Sequence, residues 1–252
     1  RSLLMKRLAV LYPPCGGEYE YYLYGEALVP AINVNLMGAR YHGGDNEHQP
    51  THMRGTASLE NLLQAARVMR PLNPDAIMWA CTSGSFISGL AHAEQQVSAM
   101  RELLDCPASS TSLAFVAALR HLGMQRVSVL GSYPEETTTA FTRFMTEAGM
   151  EVCDYCALDT PSGPHAALLG DERLLEAAVS LDTPEDAVVL VPDTAMPTMH
   201  LIPALERATK RTVLTANQVS IWEGSRLLSG ADDTAIDLAS ANALFRTVQH
   251  RG

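Results

Sequence analysis

The sequence predicts an α/β fold of two pseudo-symmetric Rossmann-like halves, each a parallel sheet flanked by helices, with the active site in the cleft between them. Three observations lead there. Short β-type apolar runs alternate with amphipathic helical stretches along the chain. The order of those runs repeats once, and no low-complexity linker separates the repeats.

In chain order, RLAVLY from Arg7 is the opening strand, and it runs into a loop containing Pro13, Pro14, Gly16 and Gly17. The aromatic cluster YEYYLYG that follows reads as a lid or as a plain amphipathic surface segment. AINVNLM is the next strand, and ASLENLLQAARVMR carries apolar residues at helical spacing. The strand AIMWAC then ends at Cys81. SAMRELLD is helical, a strand begins after Cys106 and Pro107, and STSLAFVAALRHLG continues as a helix that Gly123 stops. The second half opens with RVSVLGS from Arg126, followed by the helix TTTAFTRFMTEAGM with Gly149 at its end. EVCDYCAL, AVVLVPD and RTVLTA are its further strands, with DERLLEAAVSL and MHLIPALERATK as helices between them. The halves are placed at residues 1–115 and 116–230, with 231–252 as an appended tail helix packing on the body.

The repeat gives the elements their pairing. RLAVLYPP matches RVSVLGSYP, and PDAIMWACTSG matches EDAVVLVPDTAM. SSTSLAFVAALRHLG likewise matches TANQVSIWEGSRLLSG. Cys81 and Asp193 thereby fall at equivalent strand ends. In a parallel sheet, ligands bind beyond the carboxyl ends of the strands, where helix N-termini point free N–H groups.

Composition narrows the chemistry. The formal charge of −10 argues against a general nucleic-acid binder, because phosphate contacts need a basic face. An anionic small substrate then calls for a local positive field. No apolar run reaches the roughly 18 residues of a spanning helix, and the first residues lack a signal-peptide pattern, so no membrane partner is expected. Five cysteines, an odd number, fit reduced thiols in a cytoplasmic protein. Cys153 and Cys156 form a C-x-x-C without a second pair or a His pair at metal spacing, so no metal is expected there. Cys106 reads as structural, and Cys15 as a loop residue near the pocket. Neither G-x-G-x-x-G after the first strand, nor G-x-x-x-x-G-K-[ST], nor G-x-S-x-G occurs.

A thiol at a helix start can have its pKa lowered and act as nucleophile or base. Around Cys81, the hydroxyls of Thr82 and Ser83 and the backbone freed by Gly84 suit a carboxylate or an enediolate. A buried cysteine with an ordinary TSGS helix cap is equally open on this motif alone. Asp193, with Thr194 and Ala195, forms a second helix-start cradle, or a capping aspartate. A neutral, proton-donating Asp193 is the form that tolerates a substrate carboxylate. Tyr133 ends the opening strand of the second half, where its hydroxyl either reaches an anionic ligand or packs. Pro13 and Pro14 shape the pocket from the first half. Glu135 and Glu136 read as surface charges at a helix start, and His200 as a weak site candidate.

These features together, namely the two halves, the Cys-Thr-Ser at one strand end, the reactive position at the other, the Pro-rich first loop and the SYPEE tyrosine, resemble the aspartate/glutamate racemase superfamily. Within it the chain looks most like the maleate cis-trans isomerase and arylmalonate decarboxylase branch. The resemblance implies cofactor-independent chemistry on a small carboxylic or dicarboxylic acid in a homo-oligomer, dimer or tetramer. Racemases and maleate isomerases of this kind use two cysteines, whereas the decarboxylases keep the second alone. Here Cys81 stands at the first position and Asp193 at the second. The resemblance therefore implies a maleate isomerase-like enzyme with Cys81 as nucleophile. The alternatives are a decarboxylase of substituted malonates with Cys81 as proton donor, and a racemase-like or non-catalytic carboxylate-binding paralogue.

Overall fold

The structure is a computed structural model that describes residues 5–28 and 31–230; the tail helix expected over 231–252 lies outside the described residues. The strands are β1 (Arg7–Tyr12), β2 (Asn33–Gly38), β3 (Ala76–Trp79), β4 (Ala108–Ser110), β5 (Arg126–Gly131), β6 (Glu151–Ala157), β7 (Ala187–Val191) and β8 (Val213–Thr215). They form two four-stranded sheets, ordered β2-β1-β3-β4 and β6-β5-β7-β8. Every pairing is parallel. The two orders are the same order, so the internal repeat is a repeat of topology. Central strands β1, β3, β5 and β7 are almost wholly buried, while edge strands β2 and β6 are half-buried. That is why the central runs read as continuous apolar sequence and the edges carry Asn33, Asn35, Asp154 and Tyr155.

Local rules set the helix ends. Ser58 caps the helix Leu59–Met69 by accepting from the Asn61 N–H. Gly123, at φ 69°, closes the helix Thr111–Leu122 in the left-handed conformation that glycine adopts freely. The helix Leu90–Leu104 begins eight residues earlier than the apolar pattern indicates. Its first turns carry His92, Glu94 and buried Gln96, whose amide donates to Ala57 O at 2.8 Å and Gly84 O at 2.9 Å. Polar groups with buried partners do not register in an apolar pattern. The short helix Pro50–Thr56, started by its proline, also carries too little periodicity to show in sequence.

The halves are interleaved. The helix Ala216–Ser229, reached from β8, packs on the helix Thr111–Leu122 and over β1 and β3 of the first sheet. Thr111 Oγ1 and Ser220 Oγ are 2.7 Å apart, and Tyr21 donates to Asn217 Oδ1 at 2.8 Å. Gly224 permits the close approach, since a Cβ there would lie 2.6 Å from Leu8 Cδ2. The division at residue 115 falls inside the helix Thr111–Leu122. One apolar core runs through both halves, including Leu8 and Met78 from the first and Val129 and Leu190 from the second. Phe115, Phe141, Phe86 and Tyr133 cross it in successive edge-on contacts of 5.2–5.7 Å. Each such buried ring contributes about 1.5–3 kcal/mol, and the series ends behind the cleft where the strand ends meet.

Candidate active site

Cys81 lies two residues beyond β3 and caps the helix Thr82–Phe86 with its own sulfur, which accepts the Gly84 N–H at 3.2 Å. Ser83 Oγ stands 3.6 Å from the same sulfur. Glycine is needed at 84, because a Cβ would meet Trp79 Cζ2 at 2.6 Å and Cys81 Sγ at 3.0 Å. Beneath the turn, the Ser85 hydroxyl donates to Cys81 O at 2.7 Å and accepts the Ser112 N–H at 3.1 Å. Sequence reasoning expects a helix start to lower the pKa of this thiol. Burial instead pushes it up to about 12, with Ser83 and Gly84 opposing and the charges of Asp193 and Glu47 adding to the rise. The helix is only 5 residues long, too short for a strong dipole to offset desolvation. The resting group is a thiol.

Asp193 occupies the matching place two residues beyond β7. Its Oδ1 accepts the Ala195 N–H at 2.9 Å, and its Oδ2 accepts a very short hydrogen bond from the Ser132 hydroxyl. His48 Nε2 faces that Oδ2 at 3.9 Å. The other ring nitrogen, Nδ1, lies 2.9 Å from Thr160 O, and the ring stands edge-on to Tyr133 at 4.8 Å. Burial holds the His48 pKa below its usual range, with Asp193 opposing.

Glu47, the neighbour of His48 in the chain, accepts the Gly163 N–H at Oε1, while its buried Oε2 has no partner among the described residues. Burial, aided by Asp193, pushes its pKa up to about 6. Cys15 sits near Pro13 O at 3.0 Å and the Tyr12 hydroxyl at 3.3 Å, and burial raises its pKa as well. Tyr12 in turn donates to Thr194 O at 2.8 Å, tying the first loop of one half to the Asp193 loop of the other.

These groups line one cleft, whose cavity measures about 30 Å³. Of the residues singled out from sequence, Cys81, Asp193, Pro13, Ser83, Thr194 and Ala195 line it. Pro14, Thr82 and Tyr133 do not. Pro14 is exposed. Thr82 is buried beneath the turn, its carbonyl taken by Ser85 and Ser112. Tyr133 donates its hydroxyl to Pro192 O at 2.5 Å, so it supports the site from behind and has no proton left for a ligand. The expected positive field is also missing, since no Lys or Arg is among the described residues lining the cleft.

Other candidates lie elsewhere. His200 pairs with exposed Asp171 at 3.1 Å on the surface. YEYYLYG forms most of the helix Glu18–Ala27, with Tyr21 buried, and is not a lid. Cys153 and Cys156 fall on the edge strand β6 as free thiols, Cys106 is a buried free thiol, and Glu135 accepts from Tyr155 at 2.6 Å.

Glu47, His48 and Tyr41 come from the loop after β2, which sequence reasoning passed over because GGDNEHQP shows no periodicity. A signal was present. Adjacent Glu and His beyond the carboxyl end of a parallel strand have the same address as Cys81 and Asp193.

Comparison with known proteins places this fold. The chain is 24% identical over 176 residues to arylmalonate decarboxylase of Bordetella bronchiseptica, spanning 69% of this chain and 73% of that one. It is 27% identical over 126 residues to maleate isomerase of Alcaligenes faecalis, about half of each chain (50% and 49%). The fold matches, at a TM-score of 0.80 and 21% identity, a crystal structure of a cysteine-to-serine mutant of Nocardia farcinica maleate cis-trans isomerase with a covalently bound succinylcysteine intermediate; the match covers 96% of this chain and 99% of that one. A family model described as arylmalonate decarboxylase matches residues 51–239, well over half of the sequence, and the chain accordingly belongs to the arylmalonate decarboxylase family.

Proposed function

We propose that the protein is a cofactor-independent isomerase of a small unsaturated dicarboxylic acid, working as a maleate cis-trans isomerase does, with Cys81 as the nucleophile. The observation that carries the reading is the pairing of Cys81 and Asp193 at equivalent strand ends of a cleft of about 30 Å³. Addition of the Cys81 sulfur to one alkene carbon turns the double bond into a rotatable single bond, and the charge spreads onto the neighbouring carboxylate. The succinylcysteine seen in the Nocardia farcinica enzyme is an adduct of this kind. Ser83 and Thr194 lie where they can hold carboxylate oxygens.

A second reading is favoured by the thiol itself. With its pKa pushed up to about 12, Cys81 rests as a proton donor, which suits protonation of an enediolate left by loss of carbon dioxide from a substituted malonate. Proton NMR with maleate or a disubstituted malonate, run beside Cys81→Ala, tests both. Isomerisation predicts fumarate from maleate, decarboxylation predicts a monoacid from the malonate, and in either case the product disappears in the variant. Turnover that survives Cys81→Ala refutes the role given to this cysteine.

A further inference from the structure

Sequence comparison leaves the second reactive position with a carboxyl group and nothing to match it to a thiol. We propose that His48, its Nε2 facing Asp193 Oδ2 at 3.9 Å, is the acid–base group serving the face of the substrate opposite Cys81, with the Asp193 carboxylate behind it. The inference rests on the isomerase reading above and supplies the group that reading lacks.

The hydrogen bonds around His48 fix its tautomer. Thr160 O, 2.9 Å from Nδ1, is a carbonyl and only accepts, so Nδ1 carries a hydrogen. Thr160 Oγ1, 3.3 Å from the same nitrogen, spends its own hydrogen on Ser132 O at 2.9 Å and does not compete as a donor. In the neutral ring Nε2 is therefore a bare lone pair, and what it faces is Asp193 Oδ2. Ser132 and Ala195 already donate to the carboxyl group. Nε2 is the position that takes up a proton, and the facing carboxylate favours the imidazolium that results.

Among the other ionisable groups around His48, Glu47 is its chain neighbour and lines the same cleft, Tyr133 lies behind the ring, and the field of His165 opposes a second proton on the imidazole while that of Asp193 favours it. Cys81 lines the cleft from the other half. Held below its usual pKa by burial, the imidazole rests as a base at neutral pH, and the imidazolium it forms, favoured by Asp193, returns the proton readily.

The step is an addition of S–H across the carbon–carbon double bond. Sulfur bonds to one alkene carbon as the thiol's proton passes to His48 Nε2, the π pair moves to the adjacent carbon and its carboxylate, and the imidazolium gives its Nε2 proton to that carbon. After rotation the neutral imidazole removes a proton from the same carbon, the electrons re-form the double bond as the C–S bond breaks, and the proton passes from the imidazolium back to sulfur.

Ring-nitrogen NMR of the histidines tests this arrangement without any substrate. The expected result is an Nδ1–H tautomer for His48 at neutral pH, and a protonation midpoint that moves to lower pH by about one unit or more in Asp193→Asn, where the carboxylate that favours imidazolium is gone. An Nε2–H tautomer, or a midpoint indifferent to Asp193→Asn, overturns the proposal. With maleate as substrate, His48→Gln is expected to lower kcat by about 10²–10⁴-fold with little change in KM, and to remove one limb of the pH profile. A variant that melts as the wild type does and keeps the wild-type pH profile overturns the catalytic role. If the wild-type protein leaves maleate unchanged, the isomerase reading fails, while the ring spectra still accept or reject the His48–Asp193 arrangement.

Discussion

Alkylation of Cys81 by iodoacetamide gives the sharpest test of the state of the thiol. With its pKa at about 12, the thiolate fraction at pH 8 is on the order of 10⁻⁴, against roughly a quarter for a free thiol of pKa about 8.5. The deficit in reactive form is about 2,000-fold. Intrinsic nucleophilicity recovers part of it, since a more basic thiolate attacks faster by about 0.4–0.5 log units per pKa unit, or roughly 40-fold here. The expected net result is alkylation about 50-fold slower than that of a free cysteine derivative in the same tube, and slower still because the reagent must enter a cavity of about 30 Å³. The rate should also keep rising tenfold per pH unit beyond pH 9, where a free thiol has levelled off. The assay is peptide mass spectrometry over a pH series, resolving Cys81 from Cys15, Cys106, Cys153 and Cys156. If Cys81 is labelled first at pH 7–8, or if its rate levels off near neutrality, a thiolate exists at rest and the argument that burial outweighs Gly84 and Ser83 is wrong.

Other perturbations follow from close contacts and buried charge. Gly84→Ala forces a Cβ against Trp79 and the Cys81 sulfur, and is expected to cost about 1–3 kcal/mol in chemical denaturation while displacing the thiol. In Gly17→Ala the new Cβ would lie 2.4 Å from Thr194 O, so the Asp193 loop must move; turnover should fall by more than the small loss in thermal stability would explain. Glu20 is buried, accepts from Met199 N and Asn217 Nδ2 at 2.8 Å each, and has its pKa raised from 4.5 to about 7, chiefly by burial. Between those two pH values the native state holds a proton that the unfolded chain releases, so stability falls as pH rises through the window, by up to about 3 kcal/mol. Glu20→Gln should flatten that slope in urea melts taken from pH 4.5 to 7.5, and an unchanged slope would assign it to another group.

The fold was legible in sequence because the repeat and the buried central strands both write themselves as apolar periodicity. Cys81 and Asp193 were legible for the same reason, each standing two residues beyond a central strand. What the sequence hid depends on partners remote in the chain. Nothing near Tyr133 announces that Pro192 O takes its hydroxyl, and nothing near Cys81 reveals the burial that raises its pKa. His48 and Glu47 lie in an aperiodic loop and gain meaning only from Asp193, Thr160 and Gly163 in the other half. Helix Ala216–Ser229 was expected as a helix, but its place over the first sheet is a matter of assembly that local pattern does not encode.

That crossing helix has a consequence for how the protein is made. During synthesis β1 and β3 leave the ribosome long before the helix Ala216–Ser229 that packs over them, with Gly224 against Leu8 and Met78, so the early sheet waits with an apolar face uncovered. Contacts of such long sequence separation delay productive folding and extend the time in which nascent chains associate. Chains truncated before residue 216 should accordingly gather in inclusion bodies, and chaperone supply should govern yield more than any single contact in the cleft.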